Sequence, residues 1–329
     1  MASETTALNR PEQLIPVPTS LSSQAQAYLA RRTAQLVASG QTHVEPEALS
    51  DFMDPMLDMM RSLAAGFQGS ATVITLPSGA ELHRAKPEGA TGRLGEVAYF
   101  DIHGGGFAVG GGEMCALAAK LKAADYGAEV FSVDYRMLPE YPYPAALDDC
   151  LEAYAEILKS YSPSALVVAG TSAGGNLAAA LMLRARDEGL PLPAGLFLFT
   201  PALDLTLAGD SHQANRFLDV NLYGGIDYIR SYAGAEDLKH PYVSPLFGNI
   251  DSNWPRTLLA TGTRDLLLSD TVRMHRALRN AGVAAELHVI EAGPHGGFLG
   301  ASPEDAEIMA EARRFTYSAW DVPASCRSA

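Results

Sequence analysis

A serine flanked by glycines is the first candidate for chemistry in this chain. The segment GTSAG at residues 170–174 has the form G-x-S-x-G, with Ser172 at its centre. A motif this short arises easily by chance, so its context carries the argument. An apolar run at residues 165–169 precedes it, and a helix-forming run follows it. Strand, tight turn and helix are the setting of a nucleophile elbow, in which small neighbours such as Gly170 and Gly174 let the helix pack close to the strand.

A second glycine-rich segment, HGGGF at residues 103–107, follows another apolar run. It lacks the G-x-x-x-x-G-K-[ST] pattern of a phosphate-binding loop and the acidic partner of a dinucleotide fingerprint. Glycine lets the backbone approach a carbonyl oxygen and aim N–H groups at it, so this segment suits an oxyanion hole. We expect Gly105, Gly106 and Ala173, the last at a helix N-terminus, to be the donors. His103 is expected to order the loop by hydrogen bonding, without a catalytic or metal role.

A serine nucleophile needs a general base, and the base needs an acid to orient it. Among the eight histidines, His295 stands in a turn-rich segment just after the last candidate strand, where a base can reach the serine. For the acid we favour Asp265, which follows a buried strand. Its rival Asp270 begins the next helix, where an N-cap explains it more simply. The order Ser172, Asp265, His295 is that of the α/β-hydrolases and differs from the orders in chymotrypsin and subtilisin.

Short apolar runs alternate with helical segments from about residue 72 onward. Most of the later runs are apolar on both faces, which indicates an α/β fold with a mainly parallel sheet covered by helices on both sides. The first two runs are separated by a Pro-Ser-Gly turn and predict an antiparallel hairpin at the sheet edge. The candidate strands are 71–76, 81–85, 97–103, 130–135, 165–169, 196–200, 257–261 and 286–291, and the candidate helices between the later strands are 114–126, 144–160, 175–188, 269–280 and 303–320.

Two further segments accompany this core. Residues 1–70 show no strand signal, and their helical spacing predicts helices at 22–37 and 46–67. Residues 204–250 stand where a crossover helix would be, but they are far longer than one helix and rich in Tyr, Gly, Asn and Pro. We predict that both segments form a cap over a pocket, with residues 71–203 and 251–329 as the catalytic core. The alternative for residues 204–250 is an ordinary elaborated crossover.

Composition excludes several classes of partner. The chain has 38 acidic and 24 basic side chains and a net charge of −14, with no long basic run, so a nucleic acid is a poor candidate. Its three cysteines, Cys115, Cys150 and Cys326, offer neither a disulfide framework nor a CxxC pair for zinc. The first residues lack the features of a signal peptide, and no apolar stretch is long enough to span a bilayer. We therefore expect a cytoplasmic protein without membrane insertion.

Taken together, the motifs resemble the hormone-sensitive-lipase-like group of α/β-hydrolase esterases, the bacterial family IV, in its branch with GTSAG at the elbow. The resemblance covers about residues 95–300 in the family's order. Two departures are Thr171, where the commoner branch has Asp, and the extra glycine in HGGF at residues 295–298. The motifs are HGGGF at 103–107, DYRMLPEYPYPAALDD at 134–149, GTSAGGN at 170–176, SPLFG at 244–248, TGTRDLLLSD at 261–270 and GPHGGF at 293–298.

The resemblance implies an α/β-hydrolase fold with an eight-stranded, mostly parallel sheet, helices on both faces and a helical cap. It implies hydrolysis of carboxylic esters without a metal or another cofactor, and it makes a homodimer through the last strand and helix, around His288 and Phe315, a candidate assembly. It also assigns residues 134–136, Pro139 and Glu140 to structural support beside the active site. The motif residues expected to support the site are His103, Gly104, Phe107, Gly170, Gly174 and Glu140.

The expected substrate is a small ester with a short or medium acyl chain. A lactone, a carbamate or an aryl formamide cleaved by the same triad is an alternative. Another is a small-molecule-binding protein on this fold, although the presence of His295 argues against it. The apolar residues that could line a pocket, or equally form the core of the cap, are Phe52, Met53, Met56, Met59, Met60, Phe67, Phe217, Leu218, Tyr223 and Tyr228.

Overall fold

All eight predicted strands form, and they join in one sheet. The computed structural model describes residues 14–44 and 56–323 of the chain. The strands follow the order β1-β2-β4-β3-β5-β6-β7-β8. The pairs β1/β2 and β2/β4 are antiparallel, and all the others are parallel, as the hairpin and the apolar runs predict. The strands are β1 (Gly69–Thr75), β2 (Glu81–Pro87), β3 (Ala98–Ile102), β4 (Glu129–Asp134), β5 (Leu166–Thr171), β6 (Gly195–Phe199), β7 (Thr257–Gly262) and β8 (Ala285–Ile290).

Helices cover both faces of this sheet because successive strand residues point to opposite sides. In β3, for example, Phe100 and Ile102 pack into one apolar cluster, and Tyr99 packs into the other. The helices that cover the sheet are α1 (Ser23–Ser39), α2 (Glu113–Tyr126), α3 (Ala145–Leu158), α4 (Ala173–Asp187), α5 (Leu268–Asn280) and α6 (Pro303–Ala319). Helices α3, α4 and α5 contribute to the first cluster, and α1, α2 and α6 to the second.

The N-terminal segment is helical where it is described. The predicted helix at 22–37 is α1, which Ser22 caps by accepting the N–H of Ala25 and which ends at Gly40 with a left-handed φ of 64°. The predicted helix at 46–67 is helical at residues 56–64 and ends in a turn at 65–66, earlier than expected. Residues 45–55 lie outside the described ranges.

Helix α1 is tied to the end of the fold. The backbone N–H and the hydroxyl of Ser22 both donate to the carboxylate of Glu304 at 2.7 Å. The Tyr28 ring meets the Phe298 ring edge-on, with centroids 5.8 Å apart. Helix α1 therefore packs beside the loop that follows β8.

Residues 204–250 form short turns instead of a long helix. They include one α-helical turn (Ser211–Ala214) and the 3-10 segments Asp227–Ala233 and Pro245–Phe247. The segment is nevertheless well anchored, since Asp204, Asp219 and His212 are all buried. Among the helices of the described ranges, none has the length and apolar character that a membrane crossing requires.

Candidate active site

Ser172 occupies the sharp turn between β5 and α4. Its backbone has φ 56° and ψ −118°, a left-handed conformation that is costly for a residue with a side chain. Thr171 ends β5, and Ala173 begins α4. The predicted elbow is therefore present, with the serine hydroxyl at the carboxyl end of a central strand.

The two glycines of the motif are required by close backbone contacts. A Cβ at Gly170 would overlap the carbonyl group of Gly174, and a Cβ at Gly174 would overlap the carbonyl oxygens of Ile102 and His103. Helix α4 thus lies directly against β5 and against the end of β3. The same packing places the segment at residues 103–107 beside the serine.

His295 lies between Ser172 and Asp265. Its Nε2 is 2.8 Å from the Ser172 hydroxyl, and its Nδ1 is 3.1 Å from Asp265 Oδ1. Ser172, Asp265 and His295 follow β5, β7 and β8. In the chain they are 93 and 30 positions apart (265 − 172 and 295 − 265). The parallel sheet brings together three side chains whose separation in sequence gives no hint of contact.

The electrostatic environment favours a charged His295. Burial lowers the pKa of the ring, but the charge of Asp265, its hydrogen bond and the charge of Asp219 together raise it more, so the net pKa lies above the ordinary 6.5. Asp265 is fully buried and accepts two further hydrogen bonds, from the Thr261 hydroxyl at 2.6 Å and the Leu267 N–H at 2.9 Å. The carboxylate is therefore fixed in place to hold a proton on Nδ1.

The rival acid, Asp270, contacts a different histidine. One of its oxygens is 3.2 Å from His212 Nε2, and the other accepts the N–H groups of Leu203 and Asp204. The expectation that Asp270 is an N-cap is wrong: α5 starts at Leu268, so Asp270 is already its third residue. Its carboxylate instead anchors the start of the 204–250 segment.

The residues expected to supply the oxyanion donors line the cavity at Ser172. Gly105 and Gly106 line the same cavity as Ser172 and Ala173. The carbonyl of Gly105 accepts from Ala108 and Val109, but no backbone hydrogen bond in the described loops uses the N–H of Gly105 or Gly106. Ala173 is the first residue of α4, where a helix has no internal acceptor for its N–H. Three residues whose N–H groups have no backbone acceptor in the described loops thus line the cavity at Ser172.

Residues of the HGGGF and DYR segments support one another. His103 stacks on Tyr135 at a centroid distance of 4.1 Å, and its Nδ1 is 2.7 Å from Gly104 O. Burial lowers the pKa of His103, so this ring is neutral at pH 7. The Tyr135 hydroxyl donates to the carbonyl of His103 at 3.0 Å, and Phe107 stacks on Tyr232 at 3.9 Å.

Not every supporting residue lies at the site. Glu140 is exposed in a turn and does not line the cavity beside Ser172. Arg136, by contrast, holds the neighbouring loop by donating to Asp149 from its backbone and its guanidinium.

A cavity of about 250 Å³ opens at Ser172. Met56, Met60 and Tyr228, named from the sequence as candidate lining residues, do line it. Phe217, Leu218 and Tyr223 line a second cavity beside α1, while Met59 is exposed. Phe67 packs against the second apolar cluster. Phe52 and Met53 lie outside the described residues.

Sequence reasoning missed two residues beside His295. Asp219 is fully buried and accepts the backbone N–H of His295, and the Asn221 amide donates to the carbonyl of His295. Both lie in the 204–250 segment, in no recognised motif and at no informative spacing from His295. A polar pair inside a predicted cap was the only available signal, and it does not distinguish contact with a catalytic loop from exposure to water.

Two groups of side chains in the described ranges have the types that bind metals. They are His103 with Cys115 and Asp134, and Glu81 with His83 and Asp134. Burial raises the pKa of the Cys115 thiol well above its ordinary value, which keeps it protonated and a poor ligand. Asp134 accepts the Gly112 N–H at 2.8 Å. Cys115 and Cys150 are both free and buried.

The fold and the elbow are those of a hydrolase of the α/β type, and comparison with known families agrees. The family described as "alpha/beta hydrolase fold" matches residues 99–299. That range runs from β3 to the loop after His295 and so includes every proposed catalytic residue. The chain belongs to the α/β-hydrolase fold family.

Its relatives define the group within that family. An esterase of Acinetobacter venetianus is 31% identical over 261 residues, which cover 76% of this chain and 81% of that protein. The crystal structure of esterase E25 has a TM-score of 0.82 and 31% identity, covering 95% of this chain and 99% of that one. The HSL-homolog EstE7 from a metagenome library has a TM-score of 0.70 and 30% identity, covering 85% and 100%. The group is that of the hormone-sensitive-lipase-like esterases, as the motifs predict; membership of the GTSAG branch stays a prediction.

Proposed function

We propose that this protein is a serine carboxylesterase in which Ser172, His295 and Asp265 form the catalytic triad. The observation that carries the proposal is a relay of two hydrogen bonds. One joins the serine hydroxyl to His295 Nε2, at 2.8 Å, and the other joins His295 Nδ1 to Asp265, at 3.1 Å. These are hydrogen-bond distances for a nucleophile and its base and for a base and its acid. The esterase names of the relatives support the same class of reaction.

The reaction is a two-step acyl transfer. Ser172 Oγ attacks the ester carbonyl as His295 Nε2 takes its proton, and Asp265 stabilises the imidazolium that results. The negative charge on the carbonyl oxygen is held by the N–H groups of Gly105, Gly106 and Ala173. His295 then returns its proton to the departing alcohol, which leaves an acyl group on Ser172. Water, deprotonated by His295, then attacks the acyl carbonyl. His295 returns that proton to Ser172 Oγ as the carboxylic acid leaves, which regenerates the serine.

Residues 1–70 and 204–250 are proposed to form the cap. Met56 and Met60 from the first segment and Leu222, Ile226 and Tyr228 from the second line the cavity at Ser172. Ligand pockets commonly measure about 300–1,000 Å³, so a cavity of about 250 Å³ is small. Its size and apolar walls support short or medium acyl chains as substrates.

The central experiment replaces the nucleophile. Ser172→Ala is expected to fold as the wild type does and to lose turnover of p-nitrophenyl butyrate by several orders of magnitude. It should also lose labelling by a fluorophosphonate. Ser164→Ala, which removes an exposed hydroxyl before β5, is the matched control and should keep both. Normal hydrolysis by Ser172→Ala would rule out the assignment.

A series of p-nitrophenyl esters tests the substrate range. We expect kcat/KM to be highest for short or medium chains, because the cavity has little room for longer ones. A preference beyond about twelve carbons would contradict a cavity of this size. Lactones, carbamates and aryl formamides compared under the same conditions would show whether one of these is the better substrate.

A further inference from the structure

The buried carboxylate of Asp219 accepts hydrogen bonds from the backbone of three loops. Its oxygens accept the N–H groups of Asn221 at 2.9 Å, Leu222 at 3.1 Å and Leu266 at 2.8 Å. The N–H of His295 lies 3.2 Å from both oxygens. A fully buried carboxylate is costly unless it is hydrogen-bonded, and here four backbone donors face it.

Two of these donors belong to the loops that carry the proposed triad. Leu266 directly follows Asp265, and the fourth donor is the backbone of His295 itself. One side chain from the 204–250 segment therefore connects the loop after β7 to the loop after β8. Movement of either loop away from the other would break a hydrogen bond to Asp219.

Asn221 reinforces the same loop from two residues further on. Its side-chain amide donates to the carbonyl of His295 at 2.7 Å and to that of Gly297 at 3.2 Å. Its carbonyl oxygen accepts the Tyr28 hydroxyl of α1 at 2.7 Å. The backbone of His295 is thus held at its N–H by Asp219 and at its carbonyl by Asn221.

We infer that Asp219 and Asn221 are positioning residues of the active site, which fix the His295 loop against the Asp265 loop so that the relay to Ser172 is preformed. This inference rests on the proposed function. Neither side chain touches the reacting atoms; both act through the backbone of His295. A displacement of about 1 Å at a reacting group can lower a rate on the order of 10²-fold, so small shifts of this loop matter.

The charge of Asp219 predicts an effect on the pH dependence of kcat/KM that a purely structural residue would not have. Burial first, and then repulsion by Asp265, raise the pKa of Asp219 to about 6, so it is mostly ionised above pH 7. Its negative charge contributes to the raised pKa of His295. Tyr28 of α1 is a further titratable group beside Asp219, and Arg32 of the same helix lies beside Tyr28 and donates to the Val220 carbonyl.

The test compares Asp219→Asn with Asn221→Ala in the full-length chain. Asp219→Asn is expected to lower kcat for p-nitrophenyl butyrate by roughly tenfold to a hundredfold with a smaller change in KM. It should also move the acid limb of the profile of kcat/KM against pH, the side on which activity is lost as pH falls, to lower pH. The reason is that removal of the charge lowers the pKa of His295. Asn221→Ala removes no charge, so it should lower kcat and leave the acid limb in place.

Asp204→Asn is the matched control. Asp204 is equally buried in the same segment, but it accepts from Thr206 and Arg273 and has no contact with His295. It should lower the melting temperature without moving the acid limb. The inference is overturned if Asp219→Asn keeps the wild-type limb and loses no more kcat than Asp204→Asn.

If Asp219→Asn does not fold, Asn221→Ala decides alone, and wild-type kcat in that variant overturns the inference. The proposed function fails separately, through absence of turnover and of fluorophosphonate labelling in the wild type.

Discussion

The two oxygens of Asp265 have different partners. Oδ1 faces His295 and the Leu267 N–H, while Oδ2 accepts the Thr261 hydroxyl. Bonds on both sides prevent rotation of the carboxylate, so its orientation toward the imidazole is fixed before substrate arrives. Such preorganisation is what an acid needs if it acts by stabilising a charge that forms only during the reaction.

The acid assignment is testable by comparing the two buried aspartates of this region. Asp265→Asn should lower kcat on the order of 10⁴-fold, because an amide favours the wrong tautomer of His295. Asp270→Asn is the matched control: it disturbs His212 and residues 203–204, and kcat should change far less. Steady-state kinetics of both purified variants decides, and a larger loss in Asp270→Asn would reverse the assignment.

The raised pKa of His295 predicts the acid limb of the wild-type profile. The base must be neutral to accept the serine proton, so activity is lost as pH falls through its pKa in the folded enzyme. That pKa lies above 6.5 because the charge and hydrogen bond of Asp265, together with the charge of Asp219, outweigh burial, the largest single influence. The midpoint of the acid limb in kcat/KM should therefore lie above pH 6.5. A midpoint well below it would mean that burial dominates.

The active site depends on how closely α4 approaches β3. The absence of a side chain at Gly174 lets the first turn of α4 lie against the carbonyls of Ile102 and His103. This contact sets the distance between the HGGGF loop and Ser172. The proposed oxyanion donors and the proposed nucleophile thus share one packing constraint.

Gly174→Ala should therefore damage both stability and activity. The new methyl group would overlap backbone atoms that cannot rotate away, which costs about 1–3 kcal/mol or more. Displacement of the 103–107 loop should lower kcat as well. Gly66→Ala is the control, because that position has open space around it. Thermal unfolding and ester hydrolysis measure the two effects, and a fully active, equally stable Gly174→Ala would refute the packing argument.

The strands were predictable because their apolar residues face both helix layers, and a run such as LVVAG at 166–170 suits few other structures. The elbow was predictable because its glycines satisfy a local steric requirement. Asp219 and Asn221 were not predictable, since they act through hydrogen bonds to distant backbone atoms that leave no pattern in sequence. The role of Asp270 escaped for the same reason: a helix start suggests a local cap, but its partners lie at residues 203, 204 and 212.

The two edges of the eight-stranded sheet differ. One edge is the hairpin strand β1, and the other is β8, where Val289 is 44% exposed. Phe315, named with His288 as a candidate dimer contact, is 1% exposed and belongs to the core of its own chain. An assembly through this edge would therefore use β8 itself and not the Phe315 side chain.

A homodimer through β8 stays a prediction, and light scattering of the purified protein tests it. We expect the mass of a dimer for the wild type and of a monomer for Val289→Arg, because a charge on the strand edge opposes pairing. Val73→Arg, on the exposed face of β1, is the control and should stay dimeric. A monomeric wild type would exclude this assembly.

The tie between Ser22 and Glu304 spans 282 positions of the chain. Chains are synthesised from the N-terminus at about 5–20 residues per second, so helix α1 is made long before its partner on α6. His295 also comes late, after the serine and its elbow. A growing chain would thus carry the proposed nucleophile without its proposed base for several seconds, and hydrolytic activity should begin only after His295 has been made.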